Sequence, residues 1–204
     1  GAIRSPAILS AVARLVRWIY AHCSLVLVQS QAFPERIVCH GFPMARIRYF
    51  PNWIEPEYEQ VVAQPDASVE QSTLDAPSFQ IVYAGNIGAA QGFPEIVEAA
   101  SRLATRLPGV KWLIAGDGRM AAWVRSEVER RGLASRVVFL GQLPPQQMQP
   151  LFAQADALLV SLKADELFAR TIPGKVQSYM ASGRPVLAML DGEGARVIQE
   201  AGAG

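Results

Sequence analysis

The chain has 204 residues, 50% hydrophobic and 18% charged, with a formal net charge of +1. That is enough apolar material for a packed core and too little net charge for bulk attraction to nucleic acid. No apolar run reaches the ~18 residues of a membrane span, and two cysteines without CxxC spacing, Cys23 and Cys39, point to a reduced, cytosolic compartment and away from a metal site.

Charge is uneven along the chain. Residues 1–50 carry six arginines (Arg4, Arg14, Arg17, Arg36, Arg46 and Arg48) against one acid, Glu35, a net of +5. Residues 55–78 carry six acids and no Lys or Arg. "PAILSAVARLVRWIYAHC" has apolar residues at helical spacing. "SLVLVQS" reads as a buried strand, "QAFPERIVCHG" as a helix ended by Gly41, and "ARIRYFPNW" as a strand stopped by Pro51. This helix–strand–helix–strand piece, 1–54, is too small to cover its own sheet faces and is expected to complete a larger α/β domain. The acidic stretch 55–78, rich in Pro, Ser and Gln, has no period and reads as a linker.

From Phe79 a regular alternation begins. The strands are "FQIVYAG", "VKWLIAG", "RVVFLG", "DALLVSL" and "PVLAML". The helices between and after them are "GFPEIVEAASRLATRL", "RMAAWVRSEVERRGL", "PPQQMQPLFAQA", "PGKVQSYMASG" and "EGARVIQEAGAG". Five strands alternating with helices predict an α/β fold, a doubly wound parallel sheet over 79–204. Ligands of such a sheet sit past the carboxyl ends of the strands, where the strand order reverses. Pro185 is expected to start a central strand, and Met180 and Ala181 to face the core. The chain has no initiator Met and stops at "EAGAG", so a piece of a longer protein is expected.

Three strands end in small, backbone-permissive loops: "YAGNIGAAQGF", "AGDGRM" and "LGQLPP". Each alone is equally an ordinary strand-to-helix turn, but three on one edge of one sheet point to a ligand. None contains GxGxxG or GxxxxGK[ST], which speaks against a dinucleotide or a Walker-type site. The fourth loop is more specific. Thr171 can cap a helix with Pro173 in its first turn. Gly174 leaves amides open and Lys175 adds a cation, a combination suited to phosphate. Upstream, Lys163 and Arg170 can add charge-assisted hydrogen bonds.

These pieces resemble the family 4 (group 1) glycosyltransferases of the GT-B fold. The matching segments are "VQSQAF", "RIRYFPNW", "IVYAGNIGAAQGFPEIVEAASRL", "WLIAGDG", "VVFLGQLPPQQMQPLFAQADALLVSL" and "IPGKVQSYMASGRPVLA". The forms "YAGNIG…QG" and "IPGK" are similar to the bacterial surface-polysaccharide subgroup, including fucosyl and fucosamine transferases. The resemblance implies two Rossmann-like domains, with 1–54 the end of the acceptor-side domain and 79–204 most of the domain that binds the nucleotide-sugar. It implies transfer of a sugar, with retention, from a UDP- or GDP-sugar to a glycan or polyprenyl-linked acceptor, without a cofactor or metal. The donor diphosphate is expected at Gly85, Asn86, Gly88, Arg170, Thr171, Gly174 and Lys175. The nucleoside is expected at Gly116, Asp117, Gly141, Gln142, Leu143 and Ser178, with Lys163 and Glu166 as further candidates.

Two departures stand out. The family's two Glu eight positions apart fall on Arg170 and Ser178, so a hydroxyl stands where a carboxylate normally meets the ribose. The first loop, "NIGAAQG", lacks the basic residue many members carry. Alternatives therefore stay open: a nucleotide-sugar 2-epimerase of the same fold, or a non-catalytic nucleotide-sugar binding module. Catalytic residues are expected largely outside this chain, and its two histidines, His22 and His40, read as structural. No DxD motif is present to hold a divalent metal. Arg14 and Arg17 among apolar residues leave open peripheral contact with an anionic membrane, beside the plainer reading of a helix packed on its own domain.

Overall fold

The computed structural model describes residues 5–54 and 78–204. The acidic linker expected over 55–78 lies, apart from Ser78, outside the described residues, as does Arg4.

The N-terminal piece follows its hydrophobic pattern. Helix α1 (Pro6–His22) leads to strand β1 (Val26–Val28), helix α2 (Pro34–Val38) and strand β2 (Ile47–Tyr49). The two strands pair in parallel, with Val26 opposite Ile47. Val28, Ile37, Phe42 and Ile47 form a small buried cluster, with Tyr20 and Phe33 packed on it. On α1, Ala13, Val16 and Tyr20 are half-buried, while Ile8, Val12, Leu15 and Ile19 form a second apolar stripe that is 44–55% exposed. At 3.6 residues per turn, Arg14 and Arg17 project from the other side of the helix, away from that stripe.

The rest is one parallel sheet. Strands β3 (Phe79–Ala84), β4 (Val110–Ala115), β5 (Val137–Gly141), β6 (Ala157–Ser161) and β7 (Val186–Met189) lie in the order β5-β4-β3-β6-β7. Both faces are covered, which is why the strands read as continuous apolar runs. On β3, Ile81 and Tyr83 pack into one core with helices α3 (Phe93–Arg106) and α4 (Ala121–Arg130). Val82 and Ala84 pack into the other, with α5 (Pro145–Gln154), α7 (Lys175–Ala181) and α8 (Glu193–Glu200). α3 shows the logic locally. Phe93, Ile96, Val97 and Ala100 recur at helical spacing and are buried, and Pro94 sits in the first turn, where its missing N–H is harmless.

The chain runs outward through β3, β4 and β5, then returns to the other side of β3 for β6 and β7. The carboxyl ends of β3 and β6 therefore flank the reversal of strand order, where α/β sheets open a crevice. The N-terminal piece docks beside it. Ser30, fully buried, donates to Glu193 at 3.2 Å, and the Gln31 amide donates to the same carboxylate at 2.9 Å. Arg170 donates to the Ala32 carbonyl at 3.3 Å. The hydrogen bond from Arg196, more than the contacts to Gln31 and Ser30, holds the Glu193 carboxyl below its usual range.

Three expectations change. Pro185 precedes β7 rather than starting it, a position where a proline removes no ladder bond, and among the described residues β7 pairs with β6 alone. In α7, Val176 and Tyr179 carry the burial; Met180 packs against the second core as expected, while Ala181 is half-buried and outside that cluster. Thr171 does not cap α7. A short helix, α6 (Glu166–Ala169), precedes it, capped by Asp165 accepting from the Leu167 amide at 2.8 Å, and the Thr171 hydroxyl donates back to the Leu167 carbonyl at 3.0 Å.

Candidate functional site: a buried lysine at the strand-order reversal

α7 follows β6 and starts at Lys175. Its seven residues make a short helix, so its dipole is a minor charge beside the lysine itself. The Lys175 ammonium lies 3.8 Å from the centroid of the Tyr83 ring. It is buried and has no hydrogen-bond partner among the described residues. The backbone makes room for it at Gly85, just past β3, where a Cβ would come within 2.8 Å of Nζ. A cation against an aromatic face gains some attraction, but that does not replace water for an ammonium with three donors. Burial accordingly lowers the Lys175 pKa from 10.5 to about 7. Tyr83 is itself fixed: its hydroxyl donates to the Asn86 carbonyl at 2.7 Å, and burial pushes its phenol well above the usual range.

Above Lys175 opens a cavity of about 570 Å³. Ala84 and Gly85 from the end of β3 form one wall, and Gly174, Lys175, Ser178 and Tyr179 from α7 another. Met148 and Phe152 of α5 add an apolar side, and Asn52 and Trp53 reach in from the N-terminal piece. Lys175, Ser178 and Tyr179 stand at i, i+3 and i+4, one face of the helix. Tyr179, fully buried, closes the end of β3: its hydroxyl accepts from the Ala84 amide at 2.8 Å and lies 3.2 Å from the Ala84 carbonyl. Tyr179→Phe should cost about 1–3 kcal/mol, because it strips buried backbone groups of a partner. Urea unfolding with an unchanged m-value would register that loss, and an unchanged midpoint would refute the role.

The structure distributes the sequence-based candidates unevenly. Gly85, Gly174, Lys175 and Ser178 line this cavity. Asn86 and Gly88 stand beside it in a loop that is tied to itself, with the Gln91 side chain accepting from the Gly88 amide at 3.1 Å. Arg170 is engaged by Glu166 at 2.8 Å and by Ala32, and the Thr171 hydroxyl by Leu167, so none of the three side chains lines the cavity. Gly116 packs on the first loop: a Cβ there would lie 1.9 Å from the Gly85 carbonyl oxygen. Asp117 turns back on its neighbour, accepting from the Gly118 amide at 2.7 Å. Gly141 accepts from the Gly116 amide at 2.6 Å, Gln142 is exposed, and Leu143 leans on the second core. Lys163 is exposed at a separate cavity of about 630 Å³ beside Glu95 and Asp191.

Sequence reasoning missed Trp53, Met148, Phe152 and Tyr179. Tyr179 was findable, since with Val176 it makes an i, i+3 apolar pair. Trp53 was not, because its placement depends on how the N-terminal piece docks.

Comparison with known proteins agrees with this architecture. Residues 78–204 match the family described as glycosyl transferases group 1. The chain is 30% identical over 156 residues to the putative colanic acid biosynthesis glycosyl transferase WcaI of Escherichia coli, spanning 76% of this chain and 37% of that protein. It is 25% identical over 179 residues to the alpha-galactosylglucosyldiacylglycerol synthase of Streptococcus pneumoniae, spanning 84% of this chain and 46% of that one. The chain thus spans less than half the length of these relatives. Among solved structures, Anabaena Alr3699/HepE in complex with UDP superposes with a TM-score of 0.76 at 20% identity, over 96% of this chain and 53% of that one. The same protein in complex with UDP-glucose gives 0.70 at 21% identity, over 97% and 53%.

Proposed function

The chain belongs to the group 1 glycosyl transferases, and from that premise we propose that the cavity above Lys175 receives the nucleoside diphosphate of a nucleotide-sugar donor. The observation that carries the reading is the Lys175 ammonium, buried without a hydrogen-bond partner among the described residues at the reversal of strand order. A protein retains such a group where a ligand completes it, and a diphosphate is the anion the family's chemistry brings. The UDP and UDP-glucose held by the Anabaena protein of like fold support that choice.

In this reading residues 79–204 form the donor-side domain and 1–54 the end of the acceptor-side domain. The whole protein transfers a sugar, with retention, from a UDP- or GDP-sugar to a lipid-linked or glycan acceptor in bacterial polysaccharide biosynthesis. Bond cleavage places negative charge on the departing diphosphate, and an ammonium already fixed in place stabilises that charge without waiting for solvent to reorganise. Ser178, one turn on from Lys175 along α7, offers a hydroxyl to the ribose. Arg170 acts at a distance, by holding Ala32 and Glu166 in place rather than by touching phosphate.

Thermal shift against a panel of nucleotides in the presence of EDTA tests this. UDP or GDP at a hundred times its Kd should add about 2.7 kcal/mol of stability, whereas uridine and guanosine should add far less. Equal shifts for nucleoside and nucleoside diphosphate, or a shift abolished by EDTA, would overturn the proposal.

A further inference from the structure

The cavity has one charged floor and one open aromatic wall. Three of its lining residues are aromatic: Trp53, Phe152 and Tyr179. Phe152 and Tyr179 are 3% and 0% exposed and pack edge to face, ring centroids 5.2 Å apart, in the second core. Trp53 is 71% exposed, the highest among the exposed large hydrophobic residues of the described chain. A singly exposed apolar side chain is ordinary; what singles out Trp53 is that it lines the cavity that also holds Lys175.

Trp53 is also held. The Phe50 amide donates to the Val28 carbonyl at 2.8 Å, fastening the segment to β1 just before Pro51. The Phe50 ring meets Trp53 edge-on, with centroids 5.6 Å apart and planes at 76°. Phe50 thus braces the indole, which stays 71% exposed. The chemistry beside it suits a planar heterocycle better than a pyranose. A pyranose brings a ring of hydroxyls that need partners, and the neutral polar side chains on the lining are Asn52 and Ser178, with the Tyr179 hydroxyl already on Ala84. A base brings π-faces and few polar edges.

We propose that Trp53 is the stacking platform for the base of the bound nucleotide, a binding residue supplied to the donor site from the N-terminal side. The inference rests on the nucleotide-site reading above. It makes the site composite: Lys175 reads charge from the five-stranded unit, and Trp53 reads the base from across the crevice.

Calorimetric titrations of the protein with UDP, GDP, UDP-glucose, uridine and inorganic pyrophosphate test it. Trp53→Ala should weaken UDP and uridine alike, by about ten- to a hundred-fold, the usual worth of one stacked base, and leave pyrophosphate unchanged. Trp53→Phe should restore most of the affinity. Tryptophan emission gives a second readout, because UDP should quench the wild type while Trp53→Phe binds UDP without that quench. Trp112 is buried in the core, Trp18 lies on α1 and Trp123 on α4, and none of the three lines this cavity. UDP affinity unchanged in Trp53→Ala would overturn the role of Trp53 alone, and so would weakening confined to UDP-glucose, which would make the stacked ring the sugar. No binding of UDP or GDP to the wild type would overturn the nucleotide site itself and the stacking role with it.

Discussion

Lys175→Met should make the unliganded protein more stable and deprive it of its diphosphate affinity. The two effects share one cause. In the folded protein the ammonium is buried without a hydrogen-bond partner among the described residues, and burial lowers its pKa from 10.5 to about 7. Below pH 7 folded and unfolded chains both carry the proton, so folding bears the full desolvation cost, a few kcal/mol by the size of the shift. Between about 7 and 10.5 the folded chain has shed the proton while the unfolded chain keeps it, and wild-type stability rises with pH. The stabilisation by Lys175→Met should therefore be largest at pH 6 and fade toward pH 10. Chemical denaturation at three pH values would show it, and a variant less stable than wild type at pH 6 would count against a desolvated charge.

The same residue should couple binding to protons. A diphosphate beside Nζ favours the charged form and raises the lysine pKa again. At pH 8 UDP should therefore bind with uptake of close to one proton, visible as a dependence of calorimetric heat on the buffer's ionisation enthalpy. UDP affinity should fall as pH rises above 7, by at most roughly tenfold per unit. Lys175→Met should abolish the uptake and weaken UDP by roughly ten- to a hundred-fold, the worth of charge-assisted hydrogen bonds. Uridine should be nearly indifferent to the change. Unaltered proton uptake in the variant would assign the titration to another group.

Gly116→Ala should be among the most damaging small substitutions in the chain. Gly116 has φ +134, outside the range of L side chains, and an added Cβ would meet the Gly85 carbonyl oxygen at 1.9 Å. Backbone strain of about 1–3 kcal/mol adds to about 1–3 kcal/mol for forcing two loops apart. The loss should appear as a fall in melting temperature of roughly 5–20 °C. Gly132→Ala is the control. Gly132 has φ +67 and open space around its missing Cβ, so strain acts there alone. A Gly116→Ala loss no larger than the Gly132→Ala loss would show that the loops yield. Gly85 also roofs Lys175, so Gly116→Ala should weaken UDP binding in whatever fraction stays folded.

Much of this fold was legible because a parallel sheet buried on both faces writes itself as apolar runs of strand length. Phe79–Ala84 and Ala157–Ser161 are such runs, and the helices between them keep their 3.6-residue period. The order of strands was not legible. Nothing local to "PVLAML" says that β7 pairs with β6. The capping role expected of Thr171 failed for a related reason. Asp165 caps a separate short helix six residues ahead of Thr171, and the Thr171 hydroxyl is drawn to the Leu167 carbonyl in it. At the site, the presence of Lys175 was readable and its burial was not, since desolvation is contributed by Tyr83 and Gly85, some ninety residues away in sequence. Gly116 shows the converse: its flexibility signalled a ligand contact, and its neighbour is another loop.

The pitch of α7 carries one more consequence. Lys175, Ser178 and Tyr179 share a helical face, and Tyr179 is pinned to the last residue of β3. A rise of 1.5 Å per residue separates residues 175 and 178 by about 4.5 Å along the axis. The sheet therefore sets the origin of a ruler, and the helix sets its graduations. A glutamate at 178 would extend one graduation's reach without shifting the others. Divergence in donor preference should then accumulate in parts the ruler does not constrain, the tip of Trp53 and the loops after β3 and β5, while the 175–179 spacing stays rigid.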